Sequence, residues 1–393
     1  MMELVFWASL ALVAYTYVGF PLLLALRARL RPRPWLEADT TPRASLVVCA
    51  HNEAASIAAK LENALALDWP SERLQVLVAS DGSSDATESI VRSFASRGVQ
   101  LLSLPRRGKI PTLNDAVAEA SGEILVFSDA NSMWSPDALR ALARPFADPA
   151  VGGVAGDQRY LGRRGRDGTD GERAYWDLDR RLKIWESAAG SVTSATGAIY
   201  AIRRELFRPV VPGVTDDFFV STNVVRAGRR LVFAPDALAF EPVAASSGAE
   251  FQRKVRVATR GLRGVWVMRA LLDPFRHGFH ALQLFSHKVL RRLVGVLLLA
   301  ILCATPFLWN EGWIYRAALL GQLAVYGAAA AGRLVPRLGR AKPFAIPLYF
   351  CLVNLAALRA AWNVLTGTRI DVWEPKRCDA RPDAASPAAE LAK

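Results

Sequence analysis

The chain has 393 residues, 52% of them hydrophobic and 22% charged, with a formal net charge of +13. Neither a single soluble domain nor a purely membrane-embedded chain gives both fractions, so soluble and spanning parts are expected together. The positive charge does not point to nucleic acid. It flanks apolar runs (Arg27, Arg29, Arg31, Arg33; Lys288, Arg291, Arg292; Arg333, Arg337, Arg340, Lys342), and no zinc-finger, recognition-helix or aromatic RNA-binding pattern accompanies it.

Leu4 to Leu26 carries no charge and is long enough to cross a bilayer. Its basic flank follows the run, which fits a permanent anchor over residues 1–35 and places residue 27 onward in the cytoplasm. Next come a predicted strand (Ser45–Ala50), a helix (Glu53–Leu67) and a second strand (Leu74–Ser80). Helices at Ser84–Arg97 and Pro111–Ala120 and a strand at Ile124–Ser128 follow. This alternation predicts an α/β domain with a parallel sheet and crossover helices, assigned to residues 36–272. Gly162 to Gly171 reads as a mobile loop.

Phe275 to Leu290 mixes His277, His280, His287 and Lys288 with apolar residues and predicts an amphipathic interfacial helix, assigned to 273–292. Leu293–Trp309 and Trp313–Leu334 predict a spanning hairpin. Phe344–Leu365 is shortened by Arg359 and reads either as a third span or as an interfacial segment, which closes a membrane region over 293–368. Residues 369–393 are expected to be a flexible tail. The spans show no paired charges and no inverted repeat, which argues against a transporter. Cys49, Cys303, Cys351 and Cys378 form no C-x-x-C pair and fit ordinary burial.

Three polar clusters fall just beyond predicted strands: His51-Asn52-Glu53, Asp81-Gly82-Ser83-Ser84-Asp85 and Asp129-Ala130-Asn131. Open α/β sheets bind ligands there, where helix N-termini present free N–H groups to anions. Asn52 or Ser84 taken alone is equally a helix cap. Capping explains three equivalent clusters less well.

With these segments the chain resembles the membrane-bound family 2 glycosyltransferases of GT-A fold, the branch of cellulose, hyaluronan and poly-N-acetylglucosamine synthases. The likeness runs from about Ala44 to Arg260. VVCAHNEAASI and VASDGSSDAT resemble the nucleotide-contacting segments, which implies donor contacts from Asn52, Glu53 and Asp81. GKIPTLNDAV implies Lys109 near the donor, and FSDAN stands where a D-x-D motif holds a divalent cation, Mg²⁺ or Mn²⁺. The cation neutralises a departing nucleoside diphosphate. Asp129 is its implied anchor, with the uncharged Asn131 where a second Asp is common. SATGAIYAIRRELF implies acceptor contacts from Thr196, Gly197 and Tyr200, joined by Trp176 from the preceding helix. VTDDFFVS implies Asp217 as catalytic base, paired with Asp216. The alternative is that both aspartates merely cap a helix near Phe218. FQRKVRVATRG replaces the family's Q-x-x-R-W; Arg253, Lys254 and Arg256 keep the charge to clamp a diphosphate, but the glutamine and tryptophan are absent.

The implied activity is inverting transfer of a sugar, with UDP-sugar favoured, to a lipid-linked or growing glycan acceptor at the inner membrane face. Processive β-polysaccharide synthesis is the alternative, and a homo-oligomer or partner would then complete its channel. A non-catalytic nucleotide-sugar-binding scaffold in an envelope-assembly complex is the alternative of another class. The implied location is the inner membrane, multi-pass, with membrane lipids as neighbours, no nucleic-acid partner and a cytoplasmic catalytic domain.

Overall fold

A computed structural model describes residues 1–161, 170–242 and 247–368. The expected loop at Gly162–Gly171 lies outside the described residues up to 169, as does the expected flexible tail. The described residues divide into two compact units, a sheet unit (33–161 and 190–242) and a helical unit (1–32, 170–189 and 247–368).

The sheet unit holds β1 (Ala44–Ala50), β2 (Leu74–Asp81), β3 (Val99–Leu104), β4 (Ile124–Asp129), β5 (Met133–Trp134), β6 (Val151–Leu161), β7 (Tyr200–Arg203) and β8 (Arg230–Pro242). Their order is β3-β2-β1-β4-β7-β6-β8-β5. β1, β2, β3 and β4 pair in parallel, as the alternation of strands and helices predicts. β1 lies between two partners and is buried along its whole length, which is why ASLVVCA reads as an unbroken small and apolar run. Helix Ile57–Leu65 turns Ile57, Lys60, Leu61 and Ala64 inward, a stripe at helical spacing.

From β1 the chain steps outward to β2 and β3, then returns to the other side of β1 at β4. The order therefore reverses between β1 and β4, and a crevice opens beyond the carboxyl ends of those strands. The parallel expectation ends there. β7 runs antiparallel between β4 and β6, which makes the sheet mixed. The predicted helix Ser84–Arg97 contracts to Thr87–Ser93 plus a short turn, and β3 follows it.

Within the helical unit, Phe6 packs with Ile301, Ala304, Leu308 and Tyr315. Three helices among the described residues are long and apolar enough to cross a membrane: Met2–Leu30, Phe279–Leu308 and Lys342–Leu365. This revises the sequence reading in three places. The interfacial helix expected over 273–292 is not separate, because after Gly278 the chain stays helical from Phe279 to Leu308. Trp313–Leu334 does form a helix, but with Arg316, Gln322 and Arg333 along it, it is not among those three. Lys342–Leu365 gains length at its start, so Arg359 falls near its end. The domain expected over 36–272 is also divided, since helices Asp170–Ala189 and Ser247–Val267 belong to the helical unit.

Paired charges inside a candidate span were not expected, yet they occur. His287 Nδ1 meets Glu186 Oε1 at 2.7 Å, and Arg291 approaches Asp179 at 3.4 Å. The partners come from helix Asp170–Ala189, a segment whose sequence gives no sign of membrane association. Burial would raise the Asp179 carboxyl, but Lys183, His287 and Arg291 together hold it well below the ordinary range.

Candidate active site

The first two polar clusters brace each other at the tips of β1 and β2. Asn52 takes a left-handed backbone conformation (φ 54°), one that asparagine tolerates better than most residues. From there its Oδ1 accepts the Ser84 N–H at 2.7 Å and the Asp85 N–H at 3.3 Å. The Glu53 N–H donates to Thr87 Oγ1 at 2.7 Å, and its carboxylate accepts from Ser56 Oγ at 2.8 Å. Asn52 thus caps a neighbouring loop instead of its own helix.

Asp81 is fully buried and turned toward the chain. It pairs with the Arg106 guanidinium and accepts the N–H groups of Arg107 (2.7 Å) and Gly108 (2.9 Å). Gly82 permits this clamp, because a Cβ there would come within 2.6 Å of the Arg106 nitrogen. The clamp fixes the loop that opens helix Lys109–Glu119, and so it sets the position of Lys109.

Lys109 joins two carboxylates that sequence reasoning placed in separate motifs. Its Nζ lies 2.8 Å from Asp129 Oδ1 and 3.0 Å from Asp216 Oδ2. Burial opposes its charge, but Asp129 and Asp216 outweigh burial and hold the ammonium well above its ordinary value. A cleft surrounds the triad, lined also by Cys49, Phe127, Gly197 and Tyr200. Burial pushes the Cys49 thiol up to about 12, so it acts as a small apolar wall.

Asp217 stands beside Asp216 in the first turn of helix Asp216–Arg226. Its Oδ1 accepts the Phe218 N–H at 2.7 Å. Burial and the adjacent Asp216 charge nevertheless raise its carboxyl to about 6. Two neighbouring carboxylates therefore differ in character: Asp216 is paired with Lys109, while Asp217 is poised to exchange a proton near neutrality. A pure capping role does not account for that difference.

The donor atoms here suit a hard divalent cation, which takes oxygen ligands. Asp129 Oδ2 faces bare Gly197, where a Cβ would approach to 3.0 Å. The glycine leaves that oxygen open. Asn131 is exposed on the turn after β4 and offers an amide oxygen. Among the described residues no group of three or more His, Cys, Asp or Glu is placed to hold a metal. A cation at Asp129 would thus draw its remaining ligands from phosphate and water.

Below this turn lies a polar network that the sequence reading missed. Lys60, 1% exposed, donates to the Ser132 carbonyl at 2.6 Å and lies 4.7 Å from the Trp134 ring centre. Asn63 exchanges two 2.8 Å hydrogen bonds with the Trp134 backbone, and Glu241 accepts from the Ser132 hydroxyl. Burial lowers the Lys60 ammonium to about 7 against the pull of Asp129 and Glu241. The available signal was a lysine at a core position of an otherwise apolar helix stripe.

Arg253, Lys254, Arg256 and Trp176 belong to the helical unit and are not among the residues that the sheet unit brings together. Arg253 is held bidentately by Glu250 at 2.9 and 3.0 Å. Lys254 contacts the same carboxylate at 3.2 Å and sits over the rings of Trp176 and Tyr349. Arg256 is half-buried, and burial with the like charges of Arg260 and Arg253 lowers its titration.

Residues 45–210 match the family model described as Glycosyl transferase family 2. The poly-beta-1,6-N-acetyl-D-glucosamine synthase of Staphylococcus aureus (strain COL) is 25% identical over 243 residues, 60% of this chain and 58% of that protein. The enzyme of the same name from Staphylococcus epidermidis is 25% identical over 233 residues, 56% of each chain. This chain therefore spans less than two thirds of the length of these relatives. Among solved structures, the mannosyltransferase PcManGT from Pyrobaculum calidifontis, in complex with GDP-Man and Mn²⁺, is 27% identical. It aligns with a TM-score of 0.69 over 94% of this chain and 100% of that one.

Proposed function

We propose, for a chain that carries a glycosyl transferase family 2 domain at residues 45–210, that it transfers a sugar from a nucleotide-sugar to an acceptor hydroxyl with inversion. The observation that carries this reading is the cleft at the β1/β4 switch point. There Lys109 holds Asp129 and Asp216 together beside an aspartate, Asp217, raised to about 6.

In this reading Asp129, aided by Asn131, holds a divalent cation, Mg²⁺ or Mn²⁺. When bound, that ion supplies positive charge for the departing diphosphate. Lys109 adds a second positive charge on the same side. Asn52 and Glu53 line the nucleotide side, and Asp81 acts through the loop that seats Lys109. Asp217 accepts the proton of the incoming hydroxyl as that oxygen forms its bond to the anomeric carbon and the carbon–diphosphate bond breaks. Attack opposite the leaving group inverts the centre, so an α-linked donor yields a β-linked product. Asp216 pairs with Lys109, and its charge raises the proton affinity of Asp217.

UDP-N-acetylglucosamine and GDP-mannose are the donors to try first, since the synthases and PcManGT are named for those sugars. The acceptor is a lipid-linked or growing glycan; the three candidate spans support membrane residence, and the arginines after the first one favour a cytoplasmic sheet unit. Purified protein in lipid, assayed for nucleotide release from each donor with and without Mn²⁺ or Mg²⁺, tests the proposal. Cation-dependent release with one donor supports it. No release from any nucleotide-sugar, with a folded protein, refutes it, and product length separates single transfer from polymerisation.

A further inference from the structure

Tyr200 lines the cleft, and the proposed reaction leaves its hydroxyl unused. It begins β7 and pairs in register with Phe127 of β4, on whose ring it stacks at 4.7 Å. Strand pairing and stacking therefore fix the phenol rigidly. The side chain is 1% exposed, yet its hydroxyl has no hydrogen-bond partner among the described residues. A buried hydroxyl left unpaired is unfavourable by an amount comparable to a lost hydrogen bond. Such an atom persists in a cleft wall when something that binds there completes it.

The position of the hydroxyl identifies the binder. Burial holds the phenol well above its ordinary titration, and the charges of Asp216, Asp217 and Asp129 push it further in the same direction. The phenol is a neutral donor in the wall of the same cleft that Lys109, Asp129 and Asp216 line, with Asp217 next to Asp216. The carbon that changes partners must lie between those two functions, because the diphosphate leaves toward Asp129 and the attacking oxygen loses its proton to Asp217. Resting on that reading of the site, we propose that the Tyr200 hydroxyl binds an oxygen of the transferred sugar ring and helps select the donor sugar. The resemblance implied acceptor contact at this position. The geometry points instead to the sugar half of the donor.

Tyr200→Phe removes the hydroxyl and leaves the stacked ring. Binding of UDP, UDP-N-acetylglucosamine and GDP-mannose, each with Mn²⁺, is to be measured by calorimetry on wild type and variant in lipid, with melting of the free proteins alongside. The expected result is unchanged UDP affinity and roughly three- to tenfold weaker binding of whichever nucleotide-sugar the wild type holds, the range of one net hydrogen bond. The free variant should melt no lower than wild type, since it sheds an unpaired polar atom. Equal affinity for the nucleotide-sugar in both proteins overturns the inference, and would fit a hydroxyl satisfied by a trapped water. Parallel weakening of UDP and nucleotide-sugar with a lower melting point also overturns it, in favour of a structural role. If wild type binds UDP but neither sugar donor more tightly or differently from UDP, the transferase reading fails first and the inference falls with it.

Discussion

Asp217→Asn separates chemistry from stability at one atom. An ordinary aspartate titrates near 3.8, whereas Asp217 is raised to about 6, first by burial and then by Asp216. That gap corresponds to about 3 kcal/mol of differential stabilisation of the protonated form. The folded state holds this proton more tightly than the unfolded chain does. Its contribution to stability is therefore fully present below pH 3.8 and is lost as pH rises through 6. At pH 8 the ionised carboxylate costs the fold about 3 kcal/mol. Asparagine is neutral, nearly isosteric, and still accepts the Phe218 N–H. The variant should thus be more stable than wild type at pH 8, and the difference should close as pH falls from 6 toward 4. Loss of a general base should lower turnover by roughly 10²- to 10⁴-fold while nucleotide-sugar binding survives. Differential scanning calorimetry in detergent across pH 4–8, paired with nucleotide release at pH 8, reads both quantities. A variant that keeps wild-type turnover, or that loses turnover and melts lower at pH 8, would refute the assignment of Asp217 as a half-buried, proton-accepting base.

The remaining predictions concern the groups around that base. In the wild type, kcat/KM should rise with pH through about 6 and then level off, because the active form is the ionised carboxylate; a profile flat from pH 5 to 8 contradicts this. Gly197→Ala would place a Cβ 3.0 Å from Asp129 Oδ2, so the Mn²⁺ concentration for half-maximal activity should rise several-fold with little change in melting. Asn131→Asp adds a charged oxygen to the same exposed turn and should lower that concentration, which a Mn²⁺ titration checks directly. Lys109→Met leaves Asp129 and Asp216 without their shared cation; we expect inactive protein destabilised by about 1–3 kcal/mol near pH 7, less than for a fully buried pair since Asp129 is partly open. Calorimetry at pH 7 measures that deficit.

What the sequence made legible follows from the range of the interactions. β1, β2 and β4 were readable because each is a local apolar run, and the polar residues at their tips pointed to the crevice. β7 and its antiparallel place were not readable, since that pairing depends on Tyr200 and Arg203 meeting residues about 75 positions away. The clamp on Asp81 was equally hidden: a carboxylate in a nucleotide-contacting motif gives no local sign that it will be spent on Arg106 and the Gly108 N–H. Lys60 stood in plain view, but a core-facing lysine can be interpreted only when its acceptor, the Ser132 carbonyl 72 residues away, is known. The candidate spans were hard to read for another reason. Local hydropathy found the apolar runs but not where helices begin, so Lys342–Leu365 was undervalued and Phe279–Leu308 was split.

The acidic residues show why motif and mechanism are different statements. Asp81, Asp129, Asp216 and Asp217 are alike in sequence, and only their partners distinguish them. Asp81 is consumed by backbone N–H groups and Arg106. Asp129 shares Lys109 with Asp216 and keeps one oxygen open toward Gly197. Asp217 has no cationic partner within ion-pair distance among the described residues and is pushed toward neutrality by Asp216. One lysine therefore does two things at once. It pairs with Asp216, whose charge raises the Asp217 carboxyl while the lysine itself pulls that carboxyl down, and it pairs with Asp129, whose other oxygen stays open toward Gly197.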